Sequence, residues 1–536
     1  MPRKRSFLAV QGESGKILML YGENYVFKAF KLVYRRKFFR KELVMKKKIW
    51  LFGVVFLILV GSCQLCVGAE RTISREELLD KVSGFWIGQL VGNYMGLPFE
   101  GNYVKEPMPI LVDRYYTFQD NPALNINRDD WRGYIHIFMD AMEGAFGDDD
   151  TDVEFVTLHA VEKYGLDITY PEITEMWKKH INRRIWVANR TARNLMSKGL
   201  VAPDTGRKEN NKNWFQIDPQ LVNEIWSAFY PGMTKKAAQR ALWGARITND
   251  DWGTHPTIAY GVMYSAAFFE KDTEKLVQMA IEAVPNEGPF AEGMRDVVKW
   301  HKKYDDWRDT RKKIHEKYYR YKKGSYEAPV SVVSSLNNGL CGIMAILYGE
   351  GDFMKTVGIA VSAGYDCDNQ AATCAGLIGV LQGLKCIPDD LVEEFNNQYV
   401  CFTRDELPIA TPITEIVERI AAIAKTAILD NGGRIELRQG DAPSIVGKTL
   451  TTEYNGTDYT WVFGEDGEAT VSGGDLEENT GAEYVQDGQR VRVELPEMKL
   501  EAFYDGKRIE FVGEIQGDIF GGDIYGDIAY IVNCDF

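Results

Sequence analysis

From residue 74 to about residue 430 the apolar positions recur at helical spacing, and beyond residue 433 they alternate with polar ones. Ser74 and Glu77 form a capping-box pattern at the start of the first long helix. Within it Gly84, Gly88, Gly92 and Gly96 recur every four residues and share one face. Glycine costs helix stability, so a stripe of glycines predicts another helix in close approach. Gln89 and Asn93 in the same stretch argue against the membrane version of this motif. A second small-residue face lies at Ala372, Gly376, Gly379 and Gly383. Each stripe neighbours an acidic cluster, so their packing would place the clusters together; core packing unrelated to any site is the bland alternative. Residues 299–323 mix Lys302-Lys303 and Arg311-Lys312-Lys313 with acids and tyrosines, the pattern of a solvated helix face or a connecting excursion.

Thr411-Pro412 opens a last Ile/Ala-rich helix, which Asn431-Gly432-Gly433 ends. Asp466-Gly467, Asp487-Gly488 and Asp505-Gly506 then separate alternating runs, a strong hairpin signal. Val491, Val493 and Leu495 alternate with Arg492 and Glu494 as in a half-buried antiparallel strand. Gly-Asp-Ile occurs at 517–519, 522–524 and 526–528. The expectation is a mainly α helical domain over 70–433 and a small antiparallel β domain over 434–536, in which Trp461 serves the core or contacts a sugar.

The chain of 536 residues is 45% apolar and 26% charged, as a globular protein is. Its net charge of −14 divides into +11 over residues 1–48 and −25 beyond. So acidic a body is a poor partner for nucleic acid. The basic front reads instead as a secretory signal over 45–69: Lys46-Lys47-Lys48, an apolar run from Ile49 to Gly61, then small residues. That run is short for a membrane span. Val60-Gly61-Ser62-Cys63 would leave a lipidated Cys63, whereas Val67-Gly68-Ala69 would release a soluble protein from Glu70. Residues 1–44 look like an extension from a mis-assigned start. The expected location is the bacterial periplasm or, through Cys63, the membrane surface. Six cysteines beyond residue 70 lack a paired Cys-x-x-Cys spacing, which disfavours zinc.

The chemistry is concentrated in Gly147-Asp148-Asp149-Asp150-Thr151-Asp152 and Gly364-Tyr365-Asp366-Cys367-Asp368-Asn369, each opening a helical segment. Aspartates this close repel one another, so a fold that gathers them must protonate some or supply a cation. An all-oxygen donor set suits Mg²⁺ before Mn²⁺ or Ca²⁺. The second cluster is no EF-hand, since Ala371 and Leu377 stand where that loop needs Gly and Glu. One aspartate could serve as a helix cap, but three in a row at 148–150 exceed that need.

These residues resemble a known family. Gly84 through Glu100 looks like the opening helix of ADP-ribosylglycohydrolases, and Asp148–Thr151 like their Thr-Asp-Asp-Thr motif. The stretch from Leu347 to Phe353, then Ala363 to Asn369 and Ala371-Ala372-Thr373, resembles their second motif, Asp-x-Asp-Thr. The resemblance covers about 74–430. It implies an all-helical orthogonal bundle that holds two Mg²⁺ ions and hydrolyses a bond at C1 of ribose in ADP-ribosylated substrates. By it, Asp149, Asp150, Asp366 and Asp368 are metal ligands, Glu100 a metal-proximal ligand or acid/base, and Asp149 and Asp150 part of the catalytic set. Asp148 stands where the family has threonine, and Asn369 where it has threonine or serine; both still offer oxygen and count as further ligands. His255, in Gly253-Thr254-His255-Pro256, is a candidate substrate contact or a structural residue.

Three functions stay open at this point. One is an exported hydrolase of ribosyl or ADP-ribosyl bonds, another a nucleoside- or glycoside-scavenging enzyme on the same fold. The third is a non-catalytic binding or structural member of the family.

Overall fold

The computed structural model describes residues 69–536 apart from 121–122, 128–130, 438–443, 455–456, 466, 475, 477–479, 488–489, 496–497, 505, 508 and 512–527. The signal over 45–69, Cys63 and the Gly-Asp-Ile repeats thus lie essentially outside the described residues. The chain is mainly α, as expected. Strand β1 (Glu70–Ser74) leads into helix α1 (Arg75–Gly96), where the Ser74 hydroxyl accepts from the Glu77 amide at 3.0 Å. Helix α2 is Thr151–Tyr164, α3 Val187–Ser197, α4 His255–Ala267, α5 Ser335–Gly349, α6 Cys367–Gln382 and α7 Ile413–Asp430.

The two small-residue faces meet. A Cβ on Gly84 would overlap Gly379, one on Gly88 the Ala375 carbonyl, one on Gly92 that of Ala371, and one on Gly96 the backbone of Asp368. Helices α1 and α6 therefore run antiparallel at backbone contact, and Asp368 sits where it does because residue 96 has no side chain. Lys81, buried on α1, closes the far end by donating to the carbonyls of Val380 at 2.9 Å and Leu381 at 3.2 Å.

Residue 433 is followed by β2 (Arg434–Leu437) and then by β3 (Thr449–Tyr454), β4 (Thr457–Phe463), β5 (Glu468–Ser472), β6 (Thr480–Asp487), β7 (Arg490–Leu495), β8 (Met498–Tyr504) and β9 (Ile509–Phe511). Strands β3 to β9 form an antiparallel meander of seven strands. Its core contains Trp461, Val491 and Val493, so Trp461 packs inside.

The last strand, β10 (Ile528–Asn533), leaves that sheet. It lies between β1 and β2, pairing Thr72 with Ile531 on one side and Leu437 with Ile528 on the other. Tyr530, Val532 and Cys534 belong to the helical core, and the Asp535 carboxylate accepts from the Thr234 and Lys235 amides at 2.8 and 3.0 Å. The β segment expected over 434–536 is thus divided between two sheets, and the meander is an insertion whose ends are neighbouring strands. The six described cysteines are unpaired.

Candidate metal centre

The first acidic cluster is built on a short parallel pairing of Ala145–Phe146 with Gln398–Val400. Gly147 follows at a point where a Cβ would strike the Asp152 carboxylate and the Tyr399 hydroxyl. Asp148 then closes the turn before α2. Its Oδ1 accepts from the Thr151 amide at 2.8 Å, the Thr151 hydroxyl at 2.7 Å and the Asp150 amide at 3.1 Å. Its Oδ2 accepts from the Asn93 side chain on α1. Asp148, expected as a ligand, thus meets four protein donors, while Asp149 and Asp150 follow it into the cleft.

The second cluster hangs on a left-handed turn, with Gly364 at φ 78° and Tyr365 at φ 66°. Gln370 holds this turn by donating to the carbonyls of Gly364 at 2.7 Å and Ala360 at 2.9 Å. The Tyr365 amide donates to Tyr103 O at 3.0 Å, and the Gly101 amide to Tyr365 O at 2.8 Å. These clips carry Glu100 to the second cluster. Carboxylate oxygens of Glu100, Asp366 and Asp368 lie within 4.8 Å of one another. Glu100 also accepts from Arg132 at 2.7 Å. Arg311, expected on a solvated face, is buried instead: it donates to Ala363 O at 2.7 Å and Val104 O at 2.8 Å and lies 3.9 Å from the centre of the Tyr365 ring.

The two halves touch. The Asn369 side-chain amide donates to the Asp150 carboxylate at 2.6 Å. Glu100, Asp148, Asp149, Asp150, Asp366, Asp368 and Asn369 all line one cleft of about 790 Å³. Asp218, which no sequence motif marked, joins them, its Oδ1 accepting from the Asn189 amide of α3 at 2.9 Å. Arg132, Arg184, Arg190 and Trp186 also line the cleft, with Arg190 stacked 5.5 Å from the Trp186 ring centre. Trp186 is 52% exposed. His255 is not among the lining residues. It opens α4, buried, and burial lowers its pKa to about 4.

Burial raises the carboxyls of Asp149, Asp150, Asp366 and Asp368 well above the usual range, and their mutual repulsion adds to it. Burial also raises Asp218 to about 7. Asp368 Oδ1 and Asn369 Oδ1 are buried with no hydrogen-bond donor among the described residues. Unpaired buried oxygens amid crowded carboxylates are what a hard cation satisfies, so these residues fit one.

The ADP-ribosylglycohydrolase family model matches residues 74–427. A solved structure described as an ADP-ribosylglycohydrolase-related protein complex aligns with 66% of this chain and 99% of its own, at 16% identity and a TM-score of 0.41. No curated protein matches the chain. With the family model covering both clusters and the helices that bring them together, the chain belongs to the ADP-ribosylglycohydrolase family.

Proposed function

We propose that the protein is an exported, Mg²⁺-dependent hydrolase that cleaves a bond at C1 of ribose in an ADP-ribosyl substrate. Convergence of the two clusters on one cleft, tied by the contact between Asp150 and Asn369, carries this reading. Asp149, Asp150, Asp366, Asp368, Glu100 and Asn369 would hold the metal. When bound, Mg²⁺ supplies Lewis acidity toward ribose hydroxyls and water.

 Asp149, Asp150 and Glu100 place negative charge where positive charge develops as the C1 bond breaks. Asp148 shapes the loop that presents its two neighbours. Arg184, Arg190 and Trp186 at the rim offer cations and an aromatic face, which favours an anionic, base-bearing substrate over a neutral glycoside.

The test is product analysis. The mature protein with Mg²⁺ is incubated with ADP-ribosyl conjugates, nucleosides and neutral glycosides, and the released sugar is identified. Release of ADP-ribose supports the proposal. Release only from nucleosides or glycosides selects the scavenging reading, and metal binding without release from any of them selects a non-catalytic member.

A further inference from the structure

Arg404 is not among the residues that line the cleft, and its guanidinium is fully enclosed, with 0% of the side chain exposed. One terminal nitrogen, Nη2, donates to the Asp149 carbonyl at 3.0 Å and to the Arg184 carbonyl at 3.3 Å. The other, Nη1, donates to the Arg183 carbonyl at 2.7 Å and to the Thr403 carbonyl at 3.4 Å. Its Nε stands 3.8 Å from the Asp152 carboxylate, which also accepts from the hydroxyls of Tyr399, at 2.7 Å, and Thr403. A single side chain therefore grips the loop that carries Asp149 and Asp150, the loop that carries Arg184 and Trp186, and its own segment.

The second of these loops needs holding. Arg184 at φ 48° and Val187 at φ 33° occupy the left-handed region, which is unfavourable for a side chain and most of all for a β-branched one. Arg183, Arg184 and Trp186 are exposed, and the Arg183 side chain reaches back to the segment that carries Arg404, donating to the Thr403 carbonyl at 3.3 Å and pairing with Asp405 at 3.1 Å. The planar fork of an arginine can reach carbonyls on both loops together, and the point charge of a lysine cannot.

We propose that Arg404 is a positioning residue that fixes the acidic floor and the cationic, aromatic rim of the cleft relative to each other. The inference rests on the functional reading above for what the cleft binds, but the clamp itself has readouts that need no turnover.

The test compares wild-type protein with the charge-balanced variant Arg404→Gln/Asp152→Asn and with Arg404→Lys. Three quantities are read: melting temperature, Mn²⁺ affinity by electron paramagnetic resonance, and the rate of tryptic cleavage after Arg183 and Arg184 in metal-free protein. In a charge-balanced variant that melts near wild type, Mn²⁺ affinity should fall about tenfold, within the range seen when groups that orient metal ligands are removed. Cleavage should accelerate together with that loss, and Arg404→Lys should fall between the two. A folded variant with unchanged affinity and unchanged cleavage, or with only one of them altered, overturns the coupling. If the double variant does not fold, Arg404→Lys, which keeps a cation opposite Asp152, is read by the same criteria. Wild-type protein that binds no Mn²⁺ contradicts the functional reading instead, and the clamp then stands or falls on cleavage alone.

Discussion

Asn369 on α6 donates its side-chain amide to the Asp150 carboxylate at the start of α2, a 2.6 Å contact between residues 219 positions apart. Its other polar atom, Oδ1, is buried without a donor among the described residues. Asn369 thus joins the two acidic clusters and also offers an oxygen to a cation. Asn369→Ala should lower Mn²⁺ affinity by about 10- to 100-fold, the usual cost of losing a ligand or the group that orients one. Isothermal titration of metal-free protein checks this, and unchanged affinity would remove Asn369 from the site.

Gly96 and Gly84 separate packing from function. Alanine at either position forces backbone apart and should destabilise by about 1–3 kcal/mol. Only at Gly96 does the new Cβ meet the backbone of Asp368; at Gly84 it meets Gly379, three helical turns away. Gly96→Ala should therefore lose metal affinity beyond its loss of stability, whereas folded Gly84→Ala should keep it. Denaturant melts paired with Mn²⁺ titrations distinguish the two.

The meander should be removable by excision and not by truncation. Leu437 pairs with Ile528, so a short turn joining β2 to β10 keeps the three-stranded sheet and the Asp535 contacts. A chain ending at 433 loses both. Replacing 438–527 by a turn should leave a folded, metal-binding protein, and the chain ending at 433 should melt well below it. Loss of metal binding by the folded excision variant would implicate the meander in the site.

Buried carboxyls set the pH dependence of stability. Burial raises Glu224 from 4.5 to about 8, against donors that include Tyr264, at 2.8 Å, and Gln89, at 3.0 Å. An acid whose folded pKa is raised holds its proton more tightly in the native state. Its contribution is intact below about 4.5 and is lost as pH rises through about 8. The slope approaches about 1.4 kcal/mol per pH unit for one such group. Glu224→Gln should flatten stability across this window, measured by urea unfolding at successive pH values. An unchanged slope would show that other groups carry it.

Much of the site was legible because its chemistry is local in sequence. Three aspartates in a row and Asp-x-Asp exceed what capping requires, and the four-residue glycine repeat marks the helix pair that joins them. The division of labour within 148–150 was not legible, since Asp148 becomes a capping group only once Thr151 and Asn93 turn toward it. Arg311, Arg404 and Asp218 left no signal either. Each acts through contacts made far along the chain, and a buried arginine bound to carbonyls has the same sequence pattern as a solvated one. The return of β10 to β1 is likewise a long-range pairing that alternation alone cannot assign.

The most direct measurement of the central claim is Mg²⁺-dependent release of ADP-ribose from an ADP-ribosyl substrate by wild-type, Asp150→Asn, Asp368→Asn and doubly substituted protein. If the two clusters form one site, each single substitution should reduce turnover by at least about 100-fold, and the double variant should be little worse, as expected of residues that act as a unit. Retained turnover in both single variants, or losses that multiply in the double one, would contradict a single shared site.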